Sequence, residues 1–85
     1  MDIRSEDYGE LQHLVDALFA PGVSARATVS KLDVLMRAEA FDLNADLAEV
    51  VELLPSGSFT RTRLCDQLNS ILTGHGWAGV YGTVE

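Results

Sequence analysis

The stretch NADLAEVVELLPSGSFTRTRLCDQLNSILT, residues 44–73, decides the fold, because it holds two helical patterns on either side of a strong breaker. Asn44 is a good N-cap. Behind it Leu47, Val50, Val51 and Leu54 share one face, while Asp46, Glu49 and Glu52 take the water side as an acidic face. Pro55-Ser56-Gly57 stops the pattern. Thr60 opens the next helix, where Phe59 and Leu64 have the spacing of a hydrophobic staple and Leu64, Leu68, Ile71 and Leu72 form the inward row. The stretch therefore predicts helices over 45–54 and 61–73, joined by a short corner.

Working outward toward the N-terminus, Ser5 can cap a first helix through Tyr8, Leu11, Leu14, Val15, Leu18 and Phe19, which Pro21-Gly22 ends. Ser24 can cap a second helix running to about Ala40, with Val29, Leu32, Leu35 and Met36 as its core stripe. On the C-terminal side, Gly74 stands where a left-handed residue would close the fourth helix, and His75-Gly76-Trp77-Ala78-Gly79 is too glycine-rich to extend it. Val80-Tyr81 and Thr83-Val84 suit a short strand or an extended tail. The expected fold is mainly all-α: one compact four-helix domain over residues 1–85, with a helix-turn-helix-like corner and a short extended C-terminal segment.

Composition fits that reading. A chain of 85 residues with 47% hydrophobic and 22% charged side chains is ordinary for a globular domain, although its size limits the core and argues against a large internal cavity. No apolar run approaches the roughly 20 residues that cross a bilayer, residues 1–7 lack the pattern of a secretory leader, and a cytoplasmic location with no membrane partner is expected. The single cysteine, Cys65, cannot form an internal disulfide.

The net charge of −7 is unevenly distributed: residues 1–54 hold eleven acids and four bases, while residues 55–85 hold two of each. Near-neutral residues 60–73 offer Arg61, Thr62, Arg63, Gln67, Asn69 and Ser70 on the non-core side, residue types that bond phosphates and base edges. A helix-turn-helix nucleic-acid regulator is therefore one reading of the corner. Against it stands the small basic footprint, two arginines with Asp66 between the helix's contact positions, since phosphate neutralisation supplies most nucleic-acid affinity.

Cys65 with His13 or His75 could form a thiolate and base pair, yet Cys65 adjoins the core row, where a free cysteine usually acts as an apolar filler. The histidines are too far apart in sequence for a tetrahedral metal site, so no metal, no cofactor and no catalytic residue are expected. In length, acidity and helix count the chain resembles acyl carrier proteins. That resemblance implies an arm on the serine of an Asp-Ser-Leu at a helix start, whereas Ser30-Lys31-Leu32 and Asn69-Ser70-Ile71 lie inside expected helices without the aspartate.

Trp77 would serve as an anchor for the tail or, together with Tyr81, as an exposed aromatic contact patch. The expected function is a small acidic, non-enzymatic protein-interaction or regulatory module. Segregated acids steer a basic protein partner, and the neutral C-terminal third supplies apolar contact. Self-association has its own motive, because a small core gains stability by burying further apolar surface in a homodimer.

Overall fold

A computed structural model describes residues 4–21 and 27–85 of the chain. In order these form α1 (Glu10–Leu18), β1 (Val29–Ser30), α2 (Lys31–Phe41), α3 (Ala45–Glu52), β2 (Ser58–Phe59), α4 (Arg61–Gly74) and α5 (Ala78–Tyr81). The described residues are thus mostly helical, with one small sheet, and none of their helices is long and apolar enough to cross a membrane.

The stretch at 44–73 folds much as its pattern dictates. Asn44 Oδ1 accepts the Leu47 N–H at 2.8 Å and Thr60 Oγ1 accepts the Arg63 N–H at 3.3 Å, so each helix begins with an orphan donor satisfied by its cap. Leu47, Val50, Val51 and Leu54 pack with Leu64, Leu68 and Leu72 in the core, joined from α1 by Leu11, Leu14 and Val15. Fully burying each such side chain contributes about 1.5–3 kcal/mol before conformational entropy is charged against it. Within the corner, β2 pairs antiparallel with β1, Val29 opposite Phe59 and Ser30 opposite Ser58.

That pairing corrects the expected second helix. The proposed cap Ser24 lies outside the described residues, but Val29 and Ser30 are extended and α2 begins only at Lys31. Ser30 is its N-cap, in a reciprocal box: Ser30 Oγ accepts the Asp33 N–H at 3.1 Å, and the Ser30 N–H donates to Asp33 Oδ2 at 2.9 Å. The later start changes the face that is buried. Val34 is fully buried with Leu35, Ala38 and Phe41 packed beside the core, whereas Leu32 and Met36 of the expected stripe are 64% and 62% exposed. Ser30→Ala should lower stability by about 1 kcal/mol, or a melting temperature lower by about 4–8 °C, in a thermal scan. An unchanged melting temperature would mean that the box does not hold this end of α2.

Both chain ends also depart from expectation. Ser5 caps a turn, its Oγ accepting the Asp7 N–H at 3.0 Å, and left-handed Gly9 (φ 92°) delays α1 to Glu10. Tyr8 consequently lies outside the core row, 43% exposed, with the Arg4 guanidinium 4.6 Å from its ring centroid. The N-terminal turn is tied instead to α5, the Ser5 N–H donating to the Val80 carbonyl at 2.9 Å and the Gly9 N–H to that of Tyr81 at 3.1 Å.

Gly74 remains helical, and the closing left-handed residue is Gly76 (φ 72°). There the Trp77 N–H donates to the Leu72 carbonyl at 2.8 Å and the Gly76 N–H to that of Thr73 at 3.0 Å, the paired bonds of a Schellman motif. Val80-Tyr81 lies in the short helix α5, not in a strand, and residues 82–85 run on as an irregular tail.

Candidate functional site

α2 and α3 lie side by side because the chain turns sharply between them. Asp42 closes α2 in a left-handed conformation (φ 50°), its N–H donating to the Glu39 carbonyl at 3.2 Å, and Asn44 caps α3 two residues later. The turn leaves an open groove of about 210 Å³ between the two helices. Its floor is apolar, made by Leu35, Ala38, Leu43, Ala48 and Val51, and its rim carries Glu39, Asp42 and Glu52, all three exposed. Among the described residues, no basic side chain lines it. The volume suits a single large side chain, and the three carboxylates favour cationic groups beside that anchor.

The acidic face read from α3 divides in the structure. Glu52 borders the groove, Glu49 is exposed, and Asp46 turns the other way toward α5, where Tyr81 Oη donates to Asp46 Oδ2 at 2.6 Å. This bond to a carboxylate stabilises the protonated phenol and raises the Tyr81 pKa, with desolvation acting in the same direction. Tyr81 itself is buried. Trp77 is half-buried, stacked on His75 at 4.5 Å and set edge-on to Tyr81 at 6.0 Å. The two aromatic residues therefore anchor α5 and do not form one exposed contact patch.

The polar face expected on α4 is divided too. Arg61 Nη2 donates to Asp16 Oδ1 at 2.6 Å and to the Glu85 main-chain oxygen at 2.9 Å. Asn69 brackets Val84, its Nδ2 donating to the Val84 carbonyl at 2.9 Å and its Oδ1 accepting the Val84 N–H at 2.7 Å. Gln12 on α1 completes the clasp, accepting the Glu85 N–H at 2.8 Å and donating to the Glu85 main-chain oxygen at 2.9 Å. Hydrogen bonds from Gln12, then from Arg61, hold the Asp16 carboxyl below the usual carboxylate range. Arg63 is exposed and forms no ion pair among the described residues, and Gln67 is half-buried.

No protein-family model, curated protein or solved structure matches the chain. Its own geometry carries the functional reading. Cys65 is buried beneath the tail, in a hollow it shares with Asn69, Val84 and Glu85, and its thiol forms no hydrogen bond among the described residues. Burial pushes the thiol pKa up, the opposite of an activated nucleophile. His13 lies 4.0 Å from Glu10, and His75 is stacked on Trp77. The described residues contain no group of three or more His, Cys, Asp or Glu side chains placed to hold a metal ion.

The groove residues Leu35, Ala38, Asp42, Leu43 and Ala48 escape a reading by helical faces, because the groove forms where two faces meet across a turn. The one signal present in the sequence is the close succession Glu39, Asp42 and Glu52 among small and aliphatic residues. The tail clasp leaves even less trace, since Gln12, Arg61 and Asn69 meet residues 84–85 only through the tertiary fold.

Proposed function

We propose that this domain is a non-enzymatic protein-interaction module, and that its α2/α3 groove takes a basic segment of a partner protein by one apolar anchor residue flanked by lysine or arginine. The observation that carries the reading is an apolar floor rimmed by three exposed carboxylates and, among the described residues, no base. The excess acid of residues 1–54 extends the same potential over the surrounding surface and would speed encounter with a cationic partner. The buried Cys65 thiol, which forms no hydrogen bond among the described residues, speaks against a cysteine nucleophile.

The alternative, a helix-turn-helix regulator that reads nucleic acid through α4, draws less support. Arg61 and Asn69 already bond the tail, which leaves Arg63 and Gln67 as the main contacts and too little positive charge to neutralise several phosphates.

A library of 15-residue peptides, each with a central leucine or phenylalanine and graded numbers of flanking lysines, provides the test. Binding by fluorescence anisotropy should rise with lysine content, fall as salt is raised, and weaken about tenfold or more when Ala48→Phe fills the groove or Glu52→Lys reverses its rim. Equal binding by the wild type and both variants would overturn the groove reading. A salt-sensitive shift of duplex DNA that is lost in Arg63→Ala would favour the alternative instead.

A further inference from the structure

The outer face of α2 is a second apolar surface, separate from the groove. Leu32, Met36 and Ala40 follow one another at i, i+4 and i+8, and all three are exposed. Beside them an open trough runs between the end of α1 and α2, lined by Leu18, Val29, Asp33, Met36, Arg37 and Ala40. Large apolar side chains repeated along one exposed helix stripe mark a surface that another chain covers.

The charges flanking the stripe indicate which chain. One flank carries Asp33 and Arg37, opposite in sign and equidistant from the level of Leu35. If a second α2 lies antiparallel across the first, with the two-fold axis at the level of Leu35, equal flanks face each other. Asp33 then stands opposite the partner's Arg37, and Arg37 opposite the partner's Asp33. Both facing pairs are of opposite sign, and Arg37 forms no ion pair among the described residues.

We propose that the α2 face is the interface of a two-fold homodimer, in which each copy's Leu32 and Met36 cover the apolar stripe of the other and Asp33 pairs with Arg37 of the partner subunit. A parallel pairing, or a basic partner protein of the kind proposed for the groove, would not use this sign reversal. The symmetry keeps the same flank of both copies on one side, so the two α2/α3 grooves open next to each other. A ligand carrying two basic segments would then engage both, and its avidity would exceed that of either segment alone. The dimer itself does not rest on what the groove binds.

Sedimentation equilibrium of the full chain, across about 5 to 500 μM, reads the association directly, as befits a small interface. The wild type should dimerise within that range. Leu32→Ser combined with Met36→Ser should weaken association about a hundredfold, with an unchanged far-UV circular dichroism spectrum because both side chains are solvent-exposed. Arg37→Glu alone and Asp33→Lys alone should each be monomeric through like-charge repulsion across the two-fold, about tenfold weaker or more.

Mixing those two charge variants should restore a dimer, because the mixed pair sets Glu against Lys on one side and keeps native Asp against Arg on the other. No interaction within one chain can produce that rescue. A wild type monomeric throughout the range, a dimer that survives the serine pair, or charge variants that stay monomeric when mixed would each overturn the proposal. Ala48→Phe should dimerise like the wild type, which separates failure of this interface from failure of the groove.

Discussion

Leu68→Ala is expected to remove a large share of the domain's stability. Leu68 is fully buried in the middle of α4, among the leucines and valines of α1 and α3. Deleting its branched end leaves a cavity that the surrounding helices fill only in part, at a cost of about 2–5 kcal/mol. A domain of this length has about 4–13 kcal/mol in total, by the usual stability per residue. The melting temperature should fall by about 10–30 °C in calorimetry or urea titration, with a populated unfolded fraction at physiological temperature if the parent lies at the lower end. Leu32→Ala is the matched control, because the same change at an exposed position of α2 should stay within about 0.5 kcal/mol for the monomer. Similar losses at both positions would show that the buried face of α2 is misassigned.

Asn69→Ala has the second-largest expected effect, and a more local one. The side chain donates to Val84 O and accepts from Val84 N in a partly buried setting. Alanine leaves both backbone groups without those partners and withdraws the bracket that seats Val84 against the core, at about 2 kcal/mol. Hydrogen exchange should then show faster opening confined to the last residues while α3 and α4 stay protected. The same opening uncovers Cys65, whose alkylation by iodoacetamide should be slow in the parent and at least about tenfold faster in the variant. Unaltered thiol reactivity with unaltered exchange would mean that the tail is held by other contacts.

The contrast between those two sites reflects what a sequence encodes locally. The α3–α4 region could be read because its information is short-range: Asn44 and Thr60 lie three residues before the N–H groups they bond, and Leu64, Leu68 and Leu72 repeat at helical spacing. α2 misled because two rows satisfy the same period. Val29, Leu32, Leu35 and Met36 form one, while Val34, Leu35, Ala38 and Phe41 form the other, and only the starting point of the helix chooses between them.

That starting point was available in Ser30-Lys31-Leu32-Asp33, a capping box whose signature outranks Ser24, a bare serine without the acidic reciprocating residue. Gly9 gave a comparable local signal, since a glycine within the first expected turn permits the left-handed conformation that delays α1. The clasp on Glu85 could not be read this way, because its partner Gln12 is 73 residues distant and nothing in either neighbourhood announces the meeting. For the candidate site, the acids were visible and the groove was not. Glu52 could be assigned to an acidic face, but its separation from Asp46, which serves Tyr81, depends on where α2 and α5 pack against α3.

The ties from Ser5 to Val80, from Gly9 to Tyr81 and from Gln12 to Glu85 hold residues 5–12 against residues 80–85. Joining residue 85 to residue 4 through a flexible glycine linker long enough to pass along α1, and reopening the backbone at the exposed Pro55-Ser56 corner, should yield a circular permutant that keeps these ties.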